Sequence, residues 1–303
     1  MYTKTFSTNT WLAINLDSLS DITSLEDRLA IDEELAAYIT DENEMARLEY
    51  DKDQGRLVLI YNVIHQEKED NSYDSSPITF ILKPNRVTTL VTNKTAYLLE
   101  RLNQMMTKYR PETVYDFLFW SLVVISKDYV KILDRLDKEL TQTNHLIRQK
   151  TTKDLLLALS DIEMSMIYIR SDSKQNLLVL EQLTAHGLIR QLSDEEREKL
   201  DDALIEARQI LEMAELNTQT MGQLSSTYNN VLNNQLNDTM KILTVLSILL
   251  ATPDIITGFF GINVPLPDFL VDSNLGWLMV IGIIVLVFLV VYRMVRSILK
   301  EKN

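Results

Sequence analysis

From Glu112 to Thr252 the chain runs without a proline, and only Gly187 and Gly222 interrupt it. Across this stretch apolar residues recur every three or four positions, the spacing of one face of an α-helix. Leu118, Leu122, Ile125, Tyr129, Ile132 or Leu133, Leu136 and Leu140 form the first stripe. Pro111 ahead of it suits a helix start, where a missing N–H costs nothing. A second helix is predicted from about Thr152 to Ala185, with Gly187 at its C-cap. A third begins at Ser193-Asp-Glu-Glu196, a capping box with acids in the first turn. Leu200, Leu204, Ala207, Leu211 and Ala214 then alternate by four and three, which predicts a heptad seam. Packing within the chain and association between chains both account for such a seam.

Before Pro111 the period is shorter. Trp11–Leu16, Ala46–Tyr50, Arg56–His65, Pro77–Leu82 and Arg86–Thr92 read as strands rich in Val, Ile, Leu, Tyr and Thr. Asp51–Gly55 and Pro84-Asn85 are the turns between them, and Thr23 with Glu26 predicts a capped helix through Leu25–Ala30. Residues 1–110 are therefore expected to form an α/β or α+β domain and residues 111–240 a helical bundle and stalk.

The last part is apolar. Ile242–Phe260 is 19 residues long and Leu275–Tyr292 is 18, each close to the roughly 20 residues that cross a bilayer as a helix. Residues 241–303 are thus expected to be a transmembrane hairpin with a basic tail. The connecting loop holds Asp268 and Asp272 and no basic residue, whereas Lys241 precedes the first span and Arg293, Arg296, Lys300 and Lys302 follow the second. By the positive-inside rule both termini are cytoplasmic, with two spans in the cell membrane.

The first span carries an uncommon stripe. Asn237, Met240, Thr244, Ser247, Ala251, Asp254, Gly258 and Gly261 follow one another by threes and fours, and all but Met240 are polar or small. Tight helix packing would account for small residues. A carboxylate in a span, which costs on the order of 2.5–3.5 kcal/mol on insertion scales, needs water, a partner or a break in the helix, here near Pro253. Ahead of the span, 15 of the 23 residues from Asn217 to Thr239 are Asn, Gln, Ser or Thr. Such tracts are often loops, but this one lacks proline and leads into the span, as a water-filled vestibule would. One helix encloses no pore, so the stripe implies a ring of subunits.

Composition narrows the chemistry. The chain of 303 residues has only seven glycines and six prolines, too few for the turns of a sandwich or barrel. It has no cysteine, which removes disulfides and thiolate chemistry. His65, His145 and His186 lack ligand spacing, and no nucleophile–base pair or phosphate loop is evident, so an enzyme is not expected. Residues 1–240 hold 25 basic and 39 acidic side chains, a balance that argues against nucleic-acid binding and fits solubility or attraction of cations.

Asn237-Asp-Thr-Met-Lys241 entering the first span, Gly258-Phe-Phe-Gly-Ile-Asn263 ending it, and a second span with a basic tail resemble the CorA family of divalent-cation channels. The similarity is best over about Leu192–Lys302, and the order of the earlier regions agrees. The resemblance implies an α+β cytoplasmic domain, a stalk helix continuous with the first span, a two-helix transmembrane hairpin and a homopentameric funnel. At about 1.5 Å per residue, a helix from Asp194 to Phe260 would measure roughly 100 Å. It further implies that Gly261, Ile262 and Asn263 form the outer selectivity entrance, where amide oxygens hold hydrated Mg²⁺. Asn237 falls at the family's cytoplasmic Asn ring, Leu243 at its hydrophobic constriction, and Asp202 at an acidic regulatory site where Mg²⁺ bridges subunits.

The sequence departs from the family pattern in places. Ile262 replaces the Met of the motif, as in the family's zinc-transporting branch. The outer loop is short, with Asp268 after Pro267 standing for the family's Pro-Glu. Asp254 stands where a neutral hydroxyl is common, and five such carboxylates would bind a divalent ion or share protons. The leading expectation is a Mg²⁺ channel, with Co²⁺ or Ni²⁺ as further cargo, no prosthetic group, and inhibition by internal metal. A zinc transporter of the same fold, proton-coupled through Asp254, is the alternative. A membrane-anchored scaffold or sensor is a reading of another class, and it leaves Asp254 and the Asn-rich tract without a role.

Overall fold

A computed structural model describes residues 1–18, 29, 31–149, 151–187, 190, 192–262 and 276–300. The chain divides into two compact units, Met1–Leu224 and Ser225–Asn303.

The first unit opens with a six-stranded mixed sheet. Its strands are β1 (Tyr2–Phe6), β2 (Asn9–Asn15), β3 (Arg47–Asp51), β4 (Arg56–Ile64), β5 (Ser75–Lys83) and β6 (Arg86–Val91), in the order β1-β2-β6-β5-β4-β3. β2 and β6 run parallel, and every other neighbouring pair is antiparallel. All nine residues of β4 are buried, because the sheet is covered on both faces. On one face, Leu35, Ala36 and Ile39 of helix α1 (Glu33–Thr40) cluster with Ile14, Val58, Ile60, Ile81 and Leu90. The alternate residues Leu57, Leu59, Ile78 and Phe80 point to the other face and are equally buried. Helices α3 (Val114–Gln149) and α4 (Lys153–Ala185) pack there, with α2 (Tyr97–Tyr109) against α3.

Polar anchors fix this packing. Trp11 is fully buried, donates through Nε1 to Thr89 Oγ1 at 3.0 Å, and lies against Phe117 of α3. β3 pairs with β4 only as far as Ile60. Two residues on, the Asn176 side chain of α4 replaces the missing strand: its Oδ1 accepts from Asn62 N at 2.8 Å and its Nδ2 donates to Asn62 O at 2.9 Å. Such a pairing leaves no buried backbone group orphaned.

The turns follow their residues. Gly55 takes φ 58 between β3 and β4, where Asp51 Oδ1 accepts from Asp53 N and Gln54 N. Pro84 followed by Asn85 at φ 60 closes the β5–β6 hairpin as a type II turn would.

Several expectations are corrected. β1, α1 and α2 were not predicted: β1 is a largely exposed edge strand and the two helices are short and polar on one side. The helix expected through Leu25–Ala30 lies almost wholly outside the described residues. α3 begins at Val114 rather than at Pro111, because Thr113 Oγ1 accepts from Asp116 N. α4 has Thr152 as its N-cap but ends at His186 in extended conformation, so Gly187 is not used as a left-handed cap. Helix α5 (Asp194–Phe260) starts with the Ser193–Glu196 box, in which Ser193 N donates to Glu196 Oε2 and Glu196 N to Ser193 Oγ. Thr113 Oγ1 donates to the other Glu196 oxygen, joining the starts of α3 and α5. The buried seam of α5 runs through Leu200, Ala203, Ala207, Ile210, Ala214 and Met221, whereas Leu204 and Leu211 are half-buried. The buried positions keep Leu200, Ala207 and Ala214 of the expected heptad and replace its two other leucines by Ala203 and Ile210.

Burial pushes the carboxyl of Asp172 on α4 up to about 6, a hydrogen bond with Ser75 opposes this, and Asp74 adds to it. A folded value above the unfolded one of about 3.9 means that the native state retains a proton the unfolded chain releases. Stability from this group is full below about pH 4 and is lost as pH rises through about 6. Asp172→Asn is therefore expected to raise the melting temperature at pH 7 and to converge with the unaltered chain near pH 4. Thermal melts of both across that range check it.

Candidate functional site

The candidate site is built on α5 and α6 (Gly276–Lys300). Each contains a stretch long and apolar enough to cross a membrane by length and composition. Ile242, Leu246, Leu250 and Ile255 on α5 and Trp277, Leu286, Leu289 and Val290 on α6 are all exposed on the single chain. Apolar surface on this scale needs lipid or neighbouring helices to cover it.

Asn237, Met240, Leu243, Thr244, Ser247, Ala251, Asp254 and Gly258 all lie within the single helix α5, and all are exposed. Pro253 lies inside that helix without ending it. A break at the proline is therefore not what accommodates Asp254. The hydroxyls in this segment are satisfied locally. Thr244 Oγ1 donates to Met240 O at 2.8 Å and Ser247 Oγ to Leu243 O at 2.9 Å. Around the proline, Thr252 Oγ1 donates to Ile248 O and Thr257 Oγ1 to Pro253 O. Bonds of this kind let polar residues sit in an apolar helix with no orphaned donor.

The helix closes at Gly261, whose N–H reaches both Thr257 O at 2.9 Å and Gly258 O at 3.1 Å. A Cβ at Gly261 would lie 3.3 Å from Thr257 O, so the glycine permits this tight end. Ile262 follows and is exposed, while Asn263 and Asp268 lie outside the described residues.

The seven-residue repeat of the stripe extends back from Asn237 through Gln219, Gln223, Ser226, Asn230 and Asn233, all exposed on α5. The signal was present in the polar tract as period rather than as composition. Asp202 is exposed on α5. Among the described residues, no three His, Asp or Glu side chains come together as a metal cluster within one chain.

Comparison with known proteins places this architecture. The chain is 22% identical over 262 residues to the cobalt/magnesium transport protein CorA of Methanocaldococcus jannaschii, covering 85% of this chain and 80% of that protein. The complete structure of the CorA magnesium transporter from the same organism superposes with a TM-score of 0.79 at 20% identity, covering 95% of this chain and 90% of that one. Full-length CmaX gives 0.72 at 16% identity, with coverage of 95% and 88%. The ZntB cytoplasmic domain from Vibrio parahaemolyticus gives 0.60 at 10%, with coverage of 75% and 89%. These likenesses establish the fold: an N-terminal α/β domain, a long helix and two apolar C-terminal helices. The family model described as CorA-like Mg2+ transporter protein matches residues 6–296, and with nearly the whole chain so matched, this protein belongs to that family of divalent-cation transporters.

Proposed function

We propose that the chain forms a homopentameric channel carrying Mg²⁺ into the cytoplasm, driven by the membrane potential. The observation that carries this reading is the polar and small stripe on α5, which continues through Pro253 to the tight end at Gly261. Five copies around an axis enclose a water path with this stripe inside and the leucines and isoleucines toward lipid or α6. Gly261, Ile262 and Asn263 then form the outer entrance, with Asp268 at its mouth, and Leu243 with Asn237 lies toward the cytoplasmic end. Mg²⁺ loses its water reluctantly, so neutral amide oxygens that bind its water shell hold it without trapping it. Both termini are cytoplasmic. Residues 1–110, 111–240 and 241–303 serve as cytoplasmic α/β domain, cytoplasmic bundle with stalk, and membrane hairpin. A regulatory Mg²⁺ at Asp202 takes its remaining ligands from a second copy.

Asp254 favours a second reading, a Zn²⁺ transporter coupled to protons. Metal-resolved flux into proteoliposomes distinguishes the two. The expected result is Mg²⁺ entry under an inside-negative potential, indifferent to a pH gradient and slowed by Mg²⁺ loaded inside. Zn²⁺ flux that requires the gradient supports the second reading, and a monomeric particle without flux removes both.

A further inference from the structure

Positive charge gathers at one place on a chain whose first 240 residues hold 25 basic and 39 acidic side chains. Arg101 and Lys108 of α2 and Lys127 and Lys131 of α3 line one open cavity of about 350 Å³, together with Tyr109. Arg101 and Lys108 are seven residues apart and Lys127 and Lys131 four apart, so each helix presents its pair on one face. The acid in the cluster is Asp128. It is buried, bonds to Arg101 and lies 3.8 Å from Lys131.

The fold uses only part of this charge. Arg101 answers the buried carboxylate of Asp128. Lys108 and Lys127 have no acidic partner among the described residues, and their ammonium groups lie 4.9 and 5.9 Å from the centre of the Tyr109 ring. That ring in turn stacks on Trp120 at 3.9 Å, which holds it in place. The field they leave is visible in their neighbours. A hydrogen bond with Lys108 and the charge of Lys127 hold the Tyr109 hydroxyl below its ordinary pKa, against burial. Burial and the charges of Arg101, Arg135 and Lys127 lower the pKa of Lys131.

We propose that this cavity binds the phosphate chain of a soluble ligand, an oligophosphate such as inorganic tripolyphosphate or the phosphates of a nucleotide. Four cations against one acid leave a surplus of three positive charges. They project from two packed helices, so a multivalent anion gains their attraction without first ordering a loop. Arg101 offers a planar fork of donors and the lysines compact charges, the combination that phosphate oxygens accept. The cavity is open and about 350 Å³ in volume, room enough for a short phosphate chain to reach all four cations. It does not depend on the transport reading.

Titration calorimetry of the full chain in neutral detergent, with tripolyphosphate as the probe, tests the site. Saturable binding is expected, weakening as salt is raised. Lys127→Gln with Lys131→Gln should weaken it at least about tenfold, equivalent to about 1.4 kcal/mol. Lys108→Gln alone should also weaken it, and exposed Lys174→Gln on α4 should not. Melting temperatures close to that of the unaltered chain show that the variants fold. Absence of saturable binding, or equal binding by the double variant, overturns the proposal. Binding that is lost when the protein is held in phosphatidylglycerol nanodiscs overturns it in favour of a lipid headgroup. A smaller particle for the double variant, with no binding by the unaltered chain, overturns it in favour of a subunit contact.

Discussion

Asn263→Ala is expected to abolish Mg²⁺ entry into proteoliposomes containing a Mg²⁺-sensitive dye. In the proposed ring, five amide oxygens meet at the outer entrance and hold a hydrated ion long enough to dehydrate or pass it inward. Hydrogen bonds between neutral groups, here amide oxygen and shell water, are each worth about 0.5–1.5 kcal/mol. Losing several at once corresponds to a fall in flux on the order of a hundredfold or more. Alanine also leaves the water shell facing apolar Ile262, which offers no replacement. Asn263→Gln keeps the amide but moves it outward by one methylene, so partial flux is expected. The particle size of the variant in detergent must match that of the unaltered chain. Flux by Asn263→Ala equal to the unaltered chain would remove the entrance assignment.

Asp254→Asn is the second large effect. The substitution keeps size and hydrogen bonding and removes one negative charge from each subunit. Because α5 continues past Pro253, Asp254 keeps its place in the repeat of the stripe. Loss of five carboxylates from one level of a pore weakens the hold on a divalent ion, and a change of about 1.4 kcal/mol is already tenfold. The ratio of Zn²⁺ to Mg²⁺ flux is expected to drop by about that factor or more, and any dependence on external pH to flatten. Flux measured for both metals at two pH values gives the answer. Unchanged rates and ratio would mean that the carboxylate faces away from the ion path.

The long helices were legible because proline is absent from Glu112 to Thr252, with only Gly187 and Gly222 between, and because caps mark the starts. The Ser193–Glu196 box is a local arrangement of four residues, and it forms as read. What escaped was decided by neighbours distant in sequence. Asn176 is one amide in the middle of a helix, and nothing nearby says that it completes the edge of β4 at Asn62. Leu204 and Leu211 fit the seam by spacing, because they alternate by four and three with Leu200, Ala207 and Ala214. The positions actually buried are Ala203 and Ile210, a shift of one position that only packing settles. β1 and α1 were missed because short elements carry too few positions to establish a period. The residues of the stripe from Asn237 to Gly258 share a single helix, α5. Its uncharged extension to Gln219 is a period as well as a composition.

The bonds from Thr244 to Met240 O and from Ser247 to Leu243 O have an electrostatic consequence. With each hydrogen turned into the backbone, the oxygens present only lone pairs outward. In the proposed pore, a chloride or phosphate ion at that level would find no hydrogen to accept, whereas the water around a cation would meet acceptors for its own protons. Two neutral residues one turn apart would thus act there as an anion barrier. Substitution of Ser247 by a residue whose hydrogens face outward would weaken the charge sign preference before it changed the choice among metals.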